Sequence, residues 1–231
     1  MAAGGRKLLT LVYNLGLTPG HIKMGYQGVM KRLWILVATI SGTFITNSAL
    51  PAPSVEAGAT KAATCQACHG ASGNSTNPEW PSLAGLGADY IAEQLNNFKT
   101  GKRASPVMMP MAANLTAADM ADLGAYFDSL PNTGLEADPS YWQAGEKIYR
   151  GGDQARGIPA CMACHGPAGR GNEPAKFPAL RGQQSAYVIK QLTEYASGTR
   201  TTGPNGIMQT VAKRLTPEDM RNLASYMQGI R

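Results

Sequence analysis

Histidine and cysteine are scarce in this chain of 231 residues, which contains three histidines and four cysteines. All four cysteines lie in two copies of the pattern Cys-x-x-Cys-His, one from Cys65 to His69 and one from Cys161 to His165. The remaining histidine, His21, precedes a segment with the features of a cleaved leader. Because no histidine is left over in the mature part, the sequence argues against an enzyme that uses a free imidazole as general acid or base.

Acidic residues are absent from the first 53 positions, which hold five basic residues. From Met30 this stretch continues with two basic residues, an apolar segment over residues 33–45, and then small residues and prolines. The order is typical of a secretory signal peptide, and the apolar segment is too short for a comfortable membrane span. We therefore expect residues 30–53 to direct export. We expect residues 1–29 to be an upstream extension from a start codon assigned too early, with a cytoplasmic extension as the alternative.

The charge of the chain changes when the leader is removed. Without residues 1–53 the chain holds 16 basic and 15 acidic residues, so the net charge of +6 falls to +1. Nucleic-acid binding then loses its main support. Residues 54–137 carry 4 basic and 8 acidic side chains, whereas residues 138–231 carry 12 and 7. This polarity predicts a different partner for each end, and chance variation on solvated surfaces is the alternative.

The two Cys-x-x-Cys-His motifs predict two covalently bound haem c groups. On one helical turn the two thiols and the imidazole share a face, so Cys65 and Cys68 can bond the haem vinyl groups while His69 reaches the iron. Cys161, Cys164 and His165 repeat the arrangement. Two disulfides or one four-thiolate zinc site are the alternatives, but a zinc site leaves the histidine after each pair unexplained.

An internal repeat extends beyond the motifs. Residues 80–85 (Trp-Pro-Ser-Leu-Ala-Gly) match residues 177–182 (Phe-Pro-Ala-Leu-Arg-Gly) at an offset of 97, and the offset is 100 where Leu115-Thr116 matches Leu215-Thr216. Apolar residues recur at helical spacing, and Thr116 and Thr216 each begin a capping box. No strand pattern appears. The sequence therefore predicts an all-α fold of two tandem modules, residues 54–135 and 136–231, joined by a linker over residues 131–140.

The repeat also selects candidate sixth ligands for the two irons. Met208 lies eight residues before Thr216, and Met108 lies eight residues before Thr116. We predict Met208 and Met108 as thioether ligands, with Met111 as the alternative in the first module. Thioether and imidazole together leave no open coordination position, which favours one-electron transfer over oxygen or peroxide chemistry.

Together these features resemble the c4-type dihaem cytochromes c, over about residues 55–231. The residues that carry the resemblance are the two motifs, the two repeated proline segments, the two methionines and the run Ala144–Gly152, interpreted as a linker helix. The resemblance implies two class I cytochrome c domains related by pseudo-twofold symmetry, with haem propionates near the domain interface. It also implies that the carbonyls of Pro81 and Pro178 hold the two ligand imidazoles.

The resemblance further implies a periplasmic electron carrier, with possible loose membrane association and without a small-molecule substrate. Its expected donor is a quinol-oxidising complex or a copper protein, and its expected acceptor is a cytochrome oxidase. A haem-bearing subunit that accepts electrons from a dehydrogenase is the alternative. A dihaem peroxidase is disfavoured, because the mature chain has no third histidine.

Overall fold

Two similar sets of helices make up the computed structural model, which describes residues 52–230. The predicted upstream extension, and the predicted signal peptide up to residue 51, lie outside the described residues. The first set consists of α1 (Val55–Lys61), α2 (Ala63–His69), α3 (Ala88–Lys99), α4 (Met108–Ala112) and α5 (Ala117–Ser129). The second set consists of α6 (Trp142–Gly151), α7 (Met162–His165), α8 (Ser185–Ser197), α9 (Ile207–Ala212) and α10 (Pro217–Gly229).

The last helix of each set begins at the predicted capping box. The backbone N–H of Asp119 donates to the Thr116 hydroxyl over 3.1 Å, and the Asp119 carboxylate accepts the Thr116 N–H over 2.9 Å. In the second set the Asp219 N–H donates to the Thr216 hydroxyl over 3.1 Å, and the Asp219 carboxylate accepts the Thr216 N–H over 2.8 Å. Each box satisfies backbone donors that the first turn would leave free, which fixes the start of α5 and α10.

The first and last helices of each set cross where a glycine allows close contact. A Cβ added to Gly58 of α1 would lie 2.1 Å from the Asp122 carbonyl oxygen of α5, and one added to Gly145 of α6 would lie 2.0 Å from that of Asn222 in α10. Helix α6 therefore occupies in the second set the place of α1 in the first. The run Ala144–Gly152, interpreted as a linker helix, lies in α6 and its C-terminal cap, so it belongs to the first helix of the second half rather than to a connection between the halves.

An irregular segment over residues 131–140 connects the two halves, as predicted, and hydrogen bonds fix it to both of them. The Asn132 amide donates to the carbonyls of Ala84 and Arg181 over 3.3 and 3.1 Å. A second contact is buried: the Gln183 amide accepts from the Ser82 N–H over 2.8 Å and donates to the Ser82 carbonyl over 2.9 Å. The halves therefore meet through directional polar contacts.

Within residues 52–230 there is no β-strand, and only two isolated bridges pair short loops. No helix in this part of the chain has the length and apolar character needed to cross a membrane. The predicted all-α class of two tandem domains is confirmed. The reciprocal position of α1 and α6 agrees with a pseudo-twofold relation between them.

Candidate haem sites

Each half encloses a cavity next to its Cys-x-x-Cys-His motif. The cavity of the first half measures about 490 Å³ and that of the second about 190 Å³. The first is lined by Cys65, Cys68, His69 and Met108 among others, and the second by Cys161, Cys164, His165 and Met208. The structure thus brings together, in two groups of four, all eight residues predicted from the sequence.

Short helices present the motifs to the cavities. Helix α2 ends at His69 and α7 at His165, and the glycine that follows each has a left-handed backbone, with φ of 86° at Gly70 and 79° at Gly166. A Cβ on Gly70 would lie 2.2 Å from the Asn74 carbonyl oxygen. Glycine is therefore required there, because other residues are strained at this φ and would meet the next loop.

Backbone carbonyls hold both imidazoles. The Nδ1 atom of His69 lies 2.7 Å from the Pro81 oxygen, and that of His165 lies 2.9 Å from the Pro178 oxygen. A carbonyl only accepts, so Nδ1 carries the hydrogen and Nε2 keeps the lone pair that binds iron. Burial lowers the pKa of both histidines, which favours the neutral, metal-binding form. The expected role of the two prolines is confirmed.

No disulfide joins the four cysteines, and the two pairs line different cavities. The separation excludes a single zinc site made from all four thiolates, since such ligands must surround one ion. Burial raises the pKa of Cys65, and it raises that of Cys161 to about 11. The raised pKa favours the neutral thiol form of Cys65 and Cys161.

The short helices α4 and α9 carry the predicted methionine ligands and place them beside the cavities. Met208 is half-buried against the core of the second half. In the first half both Met108 and Met111 line the cavity, and Met109 does not. Met108 is half-buried, whereas Met111 is 42% exposed. The choice of Met108 over Met111 stays a prediction. It is supported by the repeat, in which Met108 and Met208 each lie eight residues before the capping threonine.

Two arginines at the junction of the halves were missed by the sequence analysis. Arg103 and Arg200 are 7% and 4% exposed, although arginine is seldom so deeply buried. The sequence did contain a sign of them. The offset of 97 that aligns Gly101 with Gly198 also aligns Arg103 with Arg200. Both were treated as surface charges, however, so they entered the sequence argument only through the counts of basic residues.

Comparison with known proteins agrees with the geometry. The family model for cytochrome c matches residues 55–131 and again residues 143–231. Cytochrome c4 of Pseudomonas aeruginosa is 44% identical over 197 residues, which cover 85% of this chain and 98% of that protein. A thiosulfate dehydrogenase electron acceptor of Thiomonas intermedia is 39% identical over 206 residues, covering 87% and 92%. The crystal structure of reduced recombinant cytochrome c4 from Pseudomonas stutzeri has a TM-score of 0.76 at 43% identity, covering 78% of this chain and all of that one.

The chain belongs to the cytochrome c family and is a c4-type dihaem member of it. The residues present fit the cofactor, because each cavity offers two thiols, an imidazole with a defined tautomer and a thioether. The protein therefore carries two covalently bound haem c groups and transfers electrons.

Proposed function

We propose that this protein is a periplasmic carrier that takes electrons from a quinol-oxidising complex or a copper protein and passes them towards a terminal oxidase. The observation that carries the proposal is the pair of cavities, each with a complete set of attachment and ligand side chains. Haem supplies the one-electron couple when it is bound. The protein residues fix its position, its ligands and its surroundings.

The roles follow from the chemistry of each side chain. Cys65 and Cys68 bind the first haem and Cys161 and Cys164 the second, one pair in each of the domains 54–135 and 136–231. His69 with Met108 would hold the first iron, and His165 with Met208 would hold the second. Thioether ligation favours the ferrous state, so both haems have high potentials suited to accepting electrons. If an imidazole and a thioether held each iron, no coordination position would stay open to a small-molecule substrate, and we therefore propose no catalytic role.

Export to the periplasm rests on the leader over residues 30–53, whose basic start and short apolar segment suit secretion. The mature chain is then close to neutral in total and polar in its distribution, with a net charge of −4 in residues 54–137 and +5 in residues 138–231. Opposite charges at the two ends orient a carrier during encounter and let it meet donor and acceptor through different surfaces.

A second candidate function is the electron-accepting partner of a dehydrogenase. The similarity to the thiosulfate dehydrogenase electron acceptor of Thiomonas intermedia favours it. The two candidates differ in their complexes. A dehydrogenase partner should copurify with a large catalytic subunit, whereas a free carrier should elute alone and react with separate donor and acceptor proteins.

The test combines spectra with kinetics. A redox titration of the purified protein should give two haems per chain and two high midpoint potentials. Rates of reduction and oxidation should fall as salt rises, because the screening length shortens to about 8 Å at physiological ionic strength. Lys213→Glu should slow only one of the two reactions, and Glu79→Lys in the acidic half should slow only the other, since both side chains are exposed. Equal slowing of both reactions by either variant, or rates independent of salt, would contradict separate docking ends.

A further inference from the structure

The two buried arginines lie in equivalent loops, Arg103 after α3 and Arg200 after α8. Each packs its guanidinium over an aromatic ring of its own half: Arg103 lies 4.7 Å from the centre of the Phe98 ring, and Arg200 lies 4.5 Å from that of Tyr195. Such stacking is favourable for a cation but does not neutralise its charge. Both positive charges therefore sit in the interior near the domain junction.

Their hydrogen bonds cross that junction in both directions. Arg103 donates to the Tyr187 hydroxyl over 2.9 Å and to the Gln191 amide oxygen over 2.6 Å, both in the second half. Arg200 donates to the Tyr90 hydroxyl and to the Gln94 amide oxygen, both over 2.9 Å and both in the first half. The arrangement is reciprocal, because each arginine donates to one tyrosine and one glutamine of the opposite domain.

The two guanidinium groups also share acceptors. The Gln191 oxygen receives a hydrogen bond from Arg200 over 2.7 Å as well as the one from Arg103, and the Gln94 oxygen likewise receives one from Arg103 over 3.0 Å. Two like charges are thus held close together, where water screens them little. These neutral amide and hydroxyl oxygens accept hydrogen bonds from the pair, but they carry no negative charge to offset its charge of +2.

Among residues 52–230, neither arginine has a carboxylate within 4.0 Å of its guanidinium nitrogens. A buried charge without a counter-charge is strongly unfavourable, so buried arginines are normally paired with an anion. This excess of positive charge changes the pKa of the Tyr187 phenol. Burial and the Glu194 carboxylate would raise its pKa, but Arg103 and Arg200 outweigh them and lower it below the ordinary tyrosine value. The region has a positive potential that an anion would relieve.

The anion has access to the pair from both haem cavities. Arg103 lines the first cavity and Arg200 the second, while Tyr90, Gln94, Tyr187 and Gln191 line both. The network is therefore the shared wall between the two cofactor sites. Haem c has two propionate carboxylates, and the planar guanidinium group matches the geometry of a carboxylate.

We propose that Arg103 and Arg200 form one cation site, shared between the domains, that binds propionate carboxylates of both haems and raises the reduction potentials of both together. The proposal rests on the proposed function as a dihaem carrier. A buried positive charge favours the ferrous over the ferric state, because the ferric iron carries the additional positive charge. Each haem then depends on the arginine of the other domain as well as on its own.

The decisive experiment compares Arg103→Gln and Arg200→Gln with Arg103→Lys in the haem-loaded protein. Each glutamine variant should lower both midpoint potentials, whereas Arg103→Lys keeps the charge and should lower them less. Lys102→Gln is the matched control, because it removes a positive charge from the exposed neighbouring position. Its two potentials should stay close to those of the unaltered protein, since exposed charges are screened by water.

The outcomes separate this site from the carrier function. Haem content is measured first, and fewer than two haems in the unaltered protein would contradict the proposed function itself. With two haems present, a shift confined to one haem would overturn the shared site. Shifts no larger than those of Lys102→Gln, or equal shifts in Arg103→Gln and Arg103→Lys, would overturn the charge argument.

A measurement on the unaltered protein keeps the proposal testable if the glutamine variants do not fold. Carboxylates paired with guanidinium groups keep their charge down to low pH, because the pairing lowers a carboxylate pKa by about 1–3 units. Both midpoint potentials should therefore be constant between about pH 5 and pH 8. Potentials that rise as the pH falls through this range would show propionates that take up protons, and would overturn the site.

Discussion

The two haem domains share one arrangement of helices and ligands but differ in how much protein surrounds the cofactor. Among residues 52–230, the second domain buries fifteen apolar side chains, whereas the first buries eight: Ala62, Ala84, Ile91, Phe98, Ala112, Met120, Leu123 and Phe127. The first domain also has the larger cavity. A duplicated cofactor motif can thus be supported by unequal polypeptide cores, and the first domain relies more on its haem for apolar contacts.

One position illustrates the difference. The fully buried Tyr149 of α6 donates a hydrogen bond over 2.7 Å to the carbonyl of Gly166, directly after the second motif. Counted from the contact glycines Gly58 and Gly145, the equivalent residue in the first domain is Ala62, which is also fully buried. A phenol therefore braces the second haem motif where the first domain has only a methyl group.

The surfaces near the cavities differ as well. Trp80, Val107 and Met111 line the first cavity and are 38%, 58% and 42% exposed. Among the residues that line the second cavity, Ile207 is the large apolar side chain with comparable exposure, at 38%. The first domain thus places more partly exposed apolar side chains around its haem cavity than the second.

The largest expected effect comes from removing covalent attachment. Cys65→Ser combined with Cys68→Ser should lower the intact mass by one haem and remove most amide protection from the first domain, because its core is small. The matched pair Cys161→Ser and Cys164→Ser should also lose one haem but leave more protection in the second domain. Intact mass and hydrogen exchange measure both results, and equal loss of protection would refute the comparison of cores.

Replacement of the methionines should change potential and colour. Met208→Ala should abolish the sulfur-to-iron charge-transfer absorption of the second haem and lower its potential by a sizeable part of the roughly 0.8 V that axial ligation spans. Met108→Ala should do the same for the first haem, and Met111→Ala should not. If Met111→Ala removes the band while Met108→Ala leaves it, the ligand predicted from the repeat is wrong.

Substitution of the contact glycines Gly58 and Gly145 tests whether the helix crossings are equally tight in the two domains. Gly58→Ala and Gly145→Ala should each reduce the free energy of unfolding by about 1–3 kcal/mol, because the added methyl group meets backbone of the partner helix. Gly151→Ala is the control: a Cβ there would have no neighbour within 4 Å. It should be neutral or stabilising by up to about 1 kcal/mol. Denaturant unfolding of the three variants measures these changes in the free energy of unfolding.

The smallest expected effect concerns acid stability. Hydrogen bonds from Thr116 and then from Lys61 lower the pKa of Asp119 from 3.8 to about 2. A carboxylate with a depressed pKa stabilises the folded state above about pH 4, and this contribution is lost as the pH falls towards 2. Asp119→Asn should therefore flatten the fall of melting temperature over this range, whereas the exposed Glu79→Gln should not. An unchanged acid profile for Asp119→Asn would show that the capping box does not contribute.

Much of the fold could be predicted because its determinants are local. The capping boxes depend on residues three positions apart, and the motif spacing needs only one helical turn. The role of Ala144–Gly152 could not be deduced in this way. Its identity as the counterpart of α1 depends on Gly145 meeting Asn222, two residues that are far apart in the sequence.

The candidate site also combines residues set by local spacing with residues that depend on distant contacts. Both cofactors and their cysteine and histidine residues were evident from the sequence, because the porphyrin imposes a fixed local spacing on the chain. The methionines needed the repeat, since their contact with the cavity depends on how a loop returns to it.

The tertiary structure alone decided where the charges lie. Arginine in a sequence is a solvated cation by default, because burial without a partner is costly. Packing the two domains face to face removed Arg103 and Arg200 from water and placed them between the two cofactor cavities. Local sequence thus determined which groups the protein holds. The domain interface determined the electrostatic environment in which it holds them, since burial and charge separation are properties of distant residues brought together by folding.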